Sequence, residues 1–546
     1  MSLCLYSSCE ESSRTNRHSR TKRKLQCTLY AAIVTAMFFG LCSAQFLAID
    51  REHQPFVPAI TISKETTWAT EPITEEGLVD YQSVLNQQSC RGVTPENNAV
   101  VVLSRALGPK LEGTLLPDRY YELLGIEPLP EAGPYFESSW NWWERNGNKL
   151  PPGGWAEFAG WDAQMTSRPW AADEFPEFSK WLAEMEAPLQ LAVEASKRTE
   201  FFSPLCDDDT IPLVASRMSF QATMRELCGA LVSRAMLRLG NQNQFEAWED
   251  LHAAHRLARL LGRGPFLFDA FFGCYLESQV VAGELRLIAE TQPSRKFTRQ
   301  YLKQLRRLPP ISPIIGKIDT SERAAFVDVV QRVAWNRVEP QYFLEDSDHT
   351  WHDKFVENGI NRQVDWDEIL KAGNRRFDQL NAALSQPTYR QREAALHAWD
   401  DEFKMLTQRR QQATELFTTL EGKPALTSLA SDVLAVVRLP HIRELLACET
   451  KCSQRLQSLE IALALSAWRG EHDSYPESLA ELAPGYLTSV PFDLFSDQPL
   501  CYERTSDGYR FYSFGVNGTD DHGRNETDMP MGDDLAVQMP MPWRKP

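Results

Sequence analysis

The densest group of potential cation ligands lies near the C-terminal end of the sequence. Side chains that carry oxygen ligands recur there over 18 residues, and they are Asn517, Asp520, Asp521, Asp528, Asp533 and Asp534. Calcium prefers about six to eight oxygen ligands at roughly 2.3–2.6 Å, and a loop of this composition can supply many of them. The composition therefore predicts either a calcium site or an acidic loop that binds no ion.

Two histidines three residues apart form a second candidate. Glu249, His252 and His255 recur every three residues within a helical pattern, so they can share one helix face and bind a metal ion. A carboxylate-bridged di-iron bundle needs a second Glu-x-x-His segment, and the sequence does not contain one. An ordinary amphipathic helix with half-buried histidines explains the same spacing.

A third group of potential ligands lies in residues 345–353, which read EDSDHTWHD. Histidine and carboxylate pairs there, including His349 and His352, can hold a divalent ion or act as acid and base, although solvated acidic loops have the same composition. The sequence has no HExxH, GxSxG, P-loop or CxxC motif and no dinucleotide-binding fingerprint. This absence favours a binding role over catalysis.

Residues 134–182 hold seven tryptophans, namely Trp140, Trp142, Trp143, Trp155, Trp161, Trp170 and Trp181. Tryptophan faces stack on sugar rings and on proline, so the segment can form an aromatic groove for a glycan or a peptide. Large aromatic side chains also fill irregular space beneath a loop-rich segment. We favour this packing interpretation and keep an envelope hydrolase with a Trp-rich cleft as an alternative.

The N-terminal segment predicts a membrane anchor. Residues 25–49 contain no charged residue and no histidine, and a helix of that length spans a bilayer core of about 30 Å. Six basic residues precede it, so the positive-inside rule keeps the N-terminus in the cytoplasm and places the rest of the chain outside it. A cleavable signal peptide ending near Ala44 is the alternative. We predict a single-pass protein of the cytoplasmic membrane.

Charge and cysteine content agree with an exported body. The chain carries a net charge of −17, of which residues 1–24 contribute +4, so the remainder carries −21. Such a surface repels nucleic acid, which we exclude as a partner. Seven cysteines follow the anchor, and their odd number and wide spacing do not form a disulfide framework.

The elements that must position these groups are mainly helices. From residue 184 to 440 the pattern is amphipathic and predicts stacked helical hairpins. A long helix is expected from Ile442 to Arg469, followed by two strands on either side of Ser506-Asp507-Gly508. We divide the chain into a cytoplasmic tail (1–24), an anchor (25–49), a tether (50–80), a Trp-rich mixed region (81–183), an α-helical domain (184–440) and an α+β domain (441–546).

About 80 residues of the C-terminal domain resemble the globular part of the major, G-type pseudopilin of type II secretion. The segments that carry the resemblance occur in the family's order, and they are Tyr475-Pro476, Val490-Pro491-Phe492-Asp493, Pro499-Leu500-Cys501-Tyr502, 512–518 (YSFGVNG) and Gly532-Asp533-Asp534-Leu535. The helical body, with its LLGRGP motif, resembles large membrane-anchored bacterial proteins without a known activity. The fold class expected is therefore mainly α, with a transmembrane helix, a helical body and a small pseudopilin-like α+β domain.

The resemblance implies a calcium site, because the final loop of these pseudopilins binds calcium. It would place Asn517, Asp533 and Asp534 at or near ligand positions, beside Asp520 and Asp521. Two departures concern the loop itself, since Asn517 stands where the family usually has Asp and the stretch from Gly518 to Gly532 is longer. A third departure is that about 390 residues separate the anchor from the long helix, which argues against assembly into a filament.

We therefore predict a membrane-anchored envelope protein that acts in binding or assembly, with calcium as a cofactor of its C-terminal domain. Its expected partners are the membrane and proteins of the envelope or of the secretion machinery. A component of a type II secretion system is one alternative, and the envelope hydrolase is the other.

Overall fold

A computed structural model describes residues 58–111, 114–208, 211–213, 219–336, 349–438, 442–526 and 528–541. The fold is mainly helical and ends in a small three-stranded sheet, which confirms the coarse outline of the predicted fold class. The predicted cytoplasmic tail and anchor, residues 1–49, lie outside the described residues. Among the helices that are described, none combines the length and the apolar character that crossing a membrane requires.

The N-terminal part of the body is a set of short helices around one buried apolar helix. Those helices are α1 (Tyr81–Ser89), α2 (Ala99–Leu107), α3 (Asp118–Leu124), α4 (Ser139–Arg145), α5 (Gly154–Ser167), α6 (Pro176–Glu184) and α7 (Glu186–Ala195). The Oδ1 atom of Asn98 accepts a hydrogen bond from the backbone N–H of Val100 at 3.1 Å and so caps α2. Almost every side chain of α2 is buried, because the helix packs against α7. A short antiparallel pair, β1 (Lys110–Leu111) and β2 (Thr114–Leu115), follows α2.

The middle of the body contains three long helices that pack against one another, followed by a shorter fourth helix. They are α8 (Ser219–Gly240), α9 (Gln244–Leu261), α10 (Leu267–Thr291) and α11 (Arg295–Leu305). Helix α9 packs against both α8 and α10. The break between α9 and α10 falls at Arg263-Gly264-Pro265, because proline disfavours a helical conformation at the residue before it.

A second group of helices completes the body. It contains α12 (Ile314–Lys317), a π-helical turn (Ile318–Glu322), α13 (Arg323–Ala334), α14 (His349–Glu357), a 3-10 turn (Ile360–Arg362), α15 (Trp366–Leu384), α16 (Tyr389–Gln411), α17 (Ala413–Thr419) and α18 (Lys423–Arg438). Helices α13 and α15 approach closely at Gly373, where an added Cβ would lie 2.0 Å from a ring carbon of Phe326. Glycine at this position therefore permits the contact.

The long helix α19 (Ile442–His472) connects the two hydrophobic cores of the protein. Ile442 and Leu446 belong to the core formed mainly by α12–α18. Leu459 and Leu463 belong to the core that contains α2 and α8–α11. These cores run across the predicted boundaries at residues 183/184 and 440/441. The C-terminal domain therefore shares its helix with the body.

The C-terminal sheet has the strand order β3–β4–β5 and is antiparallel. Its strands are β3 (Cys501–Arg504), β4 (Tyr509–Ser513) and β5 (Leu535–Met539). The first two strands were predicted from the sequence, and the pairing of Arg504 with Tyr509 encloses the predicted turn. The third strand was not predicted. Gly508 permits the close pairing of β4 and β5, because an added Cβ there would lie 1.7 Å from the backbone oxygen of Met539.

The segment expected to be a tether is partly packed against the body. Within residues 58–80, Thr66 and Thr67 are buried. The side-chain amide of Asn374 on α15 donates hydrogen bonds to the backbone oxygens of Glu65 and Thr66 at 2.9 and 2.8 Å. The described part of the predicted tether is therefore attached to the body around residues 65–67.

Candidate metal centre

Asp493 holds the start of the C-terminal loop, which we define as residues 514–534 between β4 and β5. Its buried carboxylate accepts hydrogen bonds from the hydroxyl of Ser513 at 2.6 Å and from the backbone N–H of Phe514 at 3.1 Å. It also accepts one from the hydroxyl of Ser496 at 2.6 Å. Because its two oxygens join β4, the start of the loop and Ser496 through hydrogen bonds, Asp493 fixes the point at which the loop leaves β4.

Gly515 brings the two ends of the loop together. Its φ of +68° lies in the left-handed region, where glycine is free of steric strain. An added Cβ would lie 2.2 Å from the backbone oxygen of Asp533. The close approach therefore requires glycine, and it places the end of the loop beside its beginning.

Three carboxylates converge where the loop closes. One oxygen each of Asp521, Asp533 and Asp534 can be chosen so that all three atoms lie within 4.8 Å of one another. Two oxygens bound to the same calcium ion at roughly 2.3–2.6 Å lie at most about 5 Å apart. The observed separations are therefore compatible with one shared cation.

Two of these carboxylates each have one oxygen without a hydrogen-bond partner. The Oδ2 atom of Asp533 accepts from the backbone N–H of Asn517 at 2.9 Å, and that of Asp534 accepts from the backbone N–H of Gly523 at 2.7 Å. The Oδ1 atoms of both aspartates are buried and have no hydrogen-bond partner among the described residues. The side chain of Asp534 is fully buried. Buried oxygens of this kind are costly without a donor or a cation.

The pKa values of the three carboxylates shift in different directions, and a bound cation would oppose the two upward shifts. Burial raises the pKa of Asp534 to about 6, even though backbone N–H groups oppose the rise. Burial also raises the pKa of Asp533. By contrast, the backbone N–H of Asp533 and the side-chain amide of Asn517 lower the pKa of Asp521. A bound cation would stabilise the ionised forms of the two buried carboxylates.

The other predicted ligands occupy supporting positions. The side-chain amide of Asn517 donates to Oδ2 of Asp521 at 3.1 Å, so it orients that carboxylate. Asp520 accepts a hydrogen bond from the hydroxyl of Tyr512 at 3.1 Å, and Asp528 accepts one from a backbone N–H of the loop at 2.9 Å. Of the predicted set, the structure therefore brings Asp521, Asp533 and Asp534 together and places Asn517 beside them.

The histidine pair does not form the shared metal-binding face that its spacing permits. Glu249 is exposed, whereas His252 and His255 are buried. His255 is enclosed by two glutamates of α10, with Nε2 3.0 Å from Glu277 and Nδ1 3.3 Å from Glu284. The three residues of the predicted face are therefore not gathered around one point. Both histidines are also more deeply buried than the half-buried positions expected for an ordinary amphipathic helix.

His255 is part of a buried charge cluster that the sequence analysis did not identify. The cluster consists of His255, Arg259, Glu277 and Glu284. Arg259 donates two hydrogen bonds of 2.6 Å to the two oxygens of Glu277. Two acidic residues seven apart within the apolar pattern of α10 are the sequence signal that could have revealed it, since such spacing places both on one helix face.

The histidines of the third candidate loop lie in different surroundings. Residues 345–348 and the side chain of His349 lie outside the described residues. His352 lies on α14 and is largely buried, and the carboxylate of Asp353 beside it is exposed. The Nδ1 atom of His352 lies 4.0 Å from the Oδ1 atom of Asp353.

Most of the tryptophans pack into the core. Trp142, Trp170 and Trp181 are buried, whereas the side chain of Trp155 is 54% exposed. The rings of Trp140 and Trp155 lie 3.8 Å apart, measured between centroids. The indole N–H of Trp142 donates to Glu184 at 2.8 Å. This packing supports the structural interpretation of the segment and leaves a small exposed aromatic surface at Trp155.

The chain matches no protein-family model, no curated protein and no solved structure.

Proposed function

We propose that the protein is a membrane-anchored envelope protein with a binding or assembly role, and that its C-terminal loop binds calcium. The observation that carries the calcium proposal is the convergence of Asp521, Asp533 and Asp534, two of which have buried oxygens without hydrogen-bond partners. The anchor is inferred from the sequence alone, through the apolar segment 25–49 and the basic residues before it.

The donor set suits a hard cation. All of the converging atoms are carboxylate oxygens, which calcium prefers, and no thiolate or imidazole competes for them within that group. Asp521, Asp533 and Asp534 would hold the ion, and Asn517 would orient Asp521. Bound calcium would supply positive charge that neutralises two buried carboxylates. The loop would then become more rigid, which suits a surface that recognises a partner.

The secretion-system alternative is supported by the resemblance of the C-terminal domain to the major pseudopilin. The helix–sheet order after residue 442 agrees with that resemblance, and the shared core of α19 and the body speaks against a free pseudopilin-like subunit. The hydrolase alternative has less support, because the tryptophans on which it depends pack largely into the core.

The first experiment is a calcium titration of the full chain by calorimetry, followed by thermal melting with and without calcium. The full chain is needed because the apolar face of α19 packs against α10 and α11. At a calcium concentration 100 times the Kd, linkage predicts a stabilisation of about 2.7 kcal/mol. The variants Asp533→Asn and Asp534→Asn should each abolish this effect.

The matched control is Asp507→Asn, which removes the same charge from the exposed turn between β3 and β4. Its calcium affinity and melting behaviour should equal those of the wild type. Absence of calcium binding in the wild type, or equal loss in the control and in the loop variants, contradicts the proposed site.

The anchor is tested separately by carbonate extraction of membranes from cells that produce the full chain or a chain that starts at residue 58. The full chain should remain in the membrane pellet, and the shortened chain should be extracted. Extraction of both proteins contradicts the anchor without affecting the calcium site.

A further inference from the structure

Helix α11 and the two residues after it carry an unusual concentration of positive charge. Their basic residues are Arg295, Lys296, Arg299, Lys303, Arg306 and Arg307, and the segment from 295 to 307 contains no acidic residue. The chain as a whole has a net charge of −17. The opposite face of α11 is buried, with Tyr301, Leu302 and Leu305 in the core. The basic side chains are therefore held on one fixed, outward face.

A cavity of about 300 Å³ lies beside this basic face. Arg299, Lys303 and Arg306 line one side of it. Leu302 of α11 and Ala467 of α19 supply apolar lining. The remaining wall is the Gly485-Tyr486 turn that follows the 3-10 helix Leu479–Leu482. The cavity therefore combines clustered cations with apolar carbon surface.

The carboxylates near the cavity compensate only part of its charge. Arg299 lies 3.8 Å from Glu471, and Arg306 lies 3.4 Å from Glu460. Lys303 is exposed and has no ion-pair partner within the part of the chain that the structure describes. Lys303 therefore leaves the cavity with an uncompensated positive charge, and the ammonium and guanidinium groups around it are hydrogen-bond donors without acceptors, which favours an anionic ligand.

We propose that this cavity binds an anion that carries a phosphate group. A phosphate brings up to two negative charges and several acceptor oxygens, which matches the arginine and lysine donors better than a single carboxylate does. The apolar lining accommodates a carbon portion attached to the phosphate. A free phosphate ester and the headgroup of an anionic lipid share this chemistry.

Two variants test the cavity in the full chain purified in a nonionic detergent. Lys303→Ala removes a cation that lines the cavity and has no ion-pair partner in the described structure. Gly485→Trp adds a large neutral side chain to the wall of the cavity, at a lining position where an added Cβ meets nothing within 4 Å. The matched control is Lys296→Ala, which removes an exposed cation of the same helix that does not line the cavity.

The probes are pyrophosphate in solution and phosphatidylglycerol mixed into the detergent micelles, each titrated by calorimetry. The Kd for at least one probe should rise about tenfold in Lys303→Ala, the cost of one charged hydrogen bond, and should rise further in Gly485→Trp. Lys296→Ala should bind as the wild type does. Binding of pyrophosphate identifies a soluble ligand, and binding of the lipid alone identifies a headgroup.

Two results overturn this inference. One is that neither probe binds the wild-type protein. The other is that Lys296→Ala and Lys303→Ala weaken binding equally while Gly485→Trp has no effect, because that pattern describes unspecific attraction to the basic face. Neither result bears on the calcium site, which lies in a different loop.

Discussion

Removal of one carboxylate from the buried charge cluster should destabilise the protein strongly. We consider the variant Glu277→Gln, which preserves the shape of the side chain and removes its charge. In the wild type, Glu277 accepts two hydrogen bonds of 2.6 Å from Arg259 and lies 3.0 Å from Nε2 of His255. Among the described residues, the variant leaves the buried cations Arg259 and His255 with Glu284 as the remaining carboxylate of the cluster.

The expected loss in the free energy of unfolding can be derived from the pKa of Glu277. Burial alone would raise this pKa, but His255 and Arg259 outweigh burial and lower it from 4.5 to about 2. At about 1.36 kcal/mol per pKa unit, the ionised form is stabilised by roughly 3 kcal/mol. Breaking a buried ion pair by removing one partner costs about 3–5 kcal/mol, which agrees. We therefore expect a loss of about 3 kcal/mol in the free energy of unfolding.

The assay is urea denaturation followed by circular dichroism, with Glu290→Gln as the matched control. Glu290 lies on the same helix and pairs with Arg286 at 3.3 Å, but its side chain is 42% exposed. Exposed pairs contribute at most about 1 kcal/mol, so the control should change stability little. Equal and small effects of the two substitutions would refute the assignment of a strong charge interaction to Glu277.

The pH dependence of the same comparison adds an independent check. The pKa of Glu277 is lowered in the fold, so its contribution is complete above the unfolded value of 4.5 and is lost as the pH falls through about 2. Burial would lower the pKa of His255, but Glu284 and Glu277 raise it from 6.5 to about 9. The stabilisation that protonated His255 contributes is therefore complete below pH 6.5, and it is lost as the pH rises through about 9. The penalty of Glu277→Gln should therefore be larger at pH 5.5 than at pH 9.5.

Three further predictions concern packing and the frame of the C-terminal loop. Gly508→Ala should destabilise the protein by about 1–3 kcal/mol in chemical denaturation, because its Cβ would overlap a backbone oxygen of β5. The control Gly229→Ala should instead stabilise the protein by up to about 1 kcal/mol, because its Cβ meets open space on α8. Trp142→Ala should lower the free energy of unfolding by about 3–5 kcal/mol and Trp155→Ala by far less, since Trp142 is buried and Trp155 is exposed. Equal losses in chemical denaturation would contradict the packing interpretation of the tryptophans. Asp493→Asn should weaken calcium binding in calorimetry and lower the melting temperature, because an amide cannot accept all of the hydrogen bonds that hold the loop. If the variant bound calcium with the affinity of the wild type, Asp493 would not be needed for the geometry of the loop.

Local patterns were sufficient to predict several elements of this protein, although not the third strand of the sheet. The predicted helix from Ile442 to Arg469 is observed as Ile442–His472, and the two predicted strands pair around the expected turn. The break between α9 and α10 falls where glycine and proline interrupt the helical pattern. These features depend on neighbouring residues, so periodicity and turn chemistry suffice to find them.

The set of residues that meet at the candidate site could not be predicted from the sequence. The sequence supplied the six oxygen-bearing residues of the loop, but their separation along the chain does not reveal which ones meet. Gly515 and the hydrogen bonds of Asp493 close the loop so that Asp521, Asp533 and Asp534 converge, while Asp520 turns to Tyr512. Selection among equivalent carboxylates is therefore a property of the fold.

The sequence by itself determined the mainly helical class, the acidic charge of the body and the group of residues from which a cation site can be drawn. The tertiary structure alone decided that His255 is enclosed by Glu277 and Glu284, that α19 belongs to two cores at once and that α11 presents its cations beside a cavity. The physical reason is that each of these features joins residues distant in sequence. Burial and charge compensation depend on packing partners that no local pattern specifies.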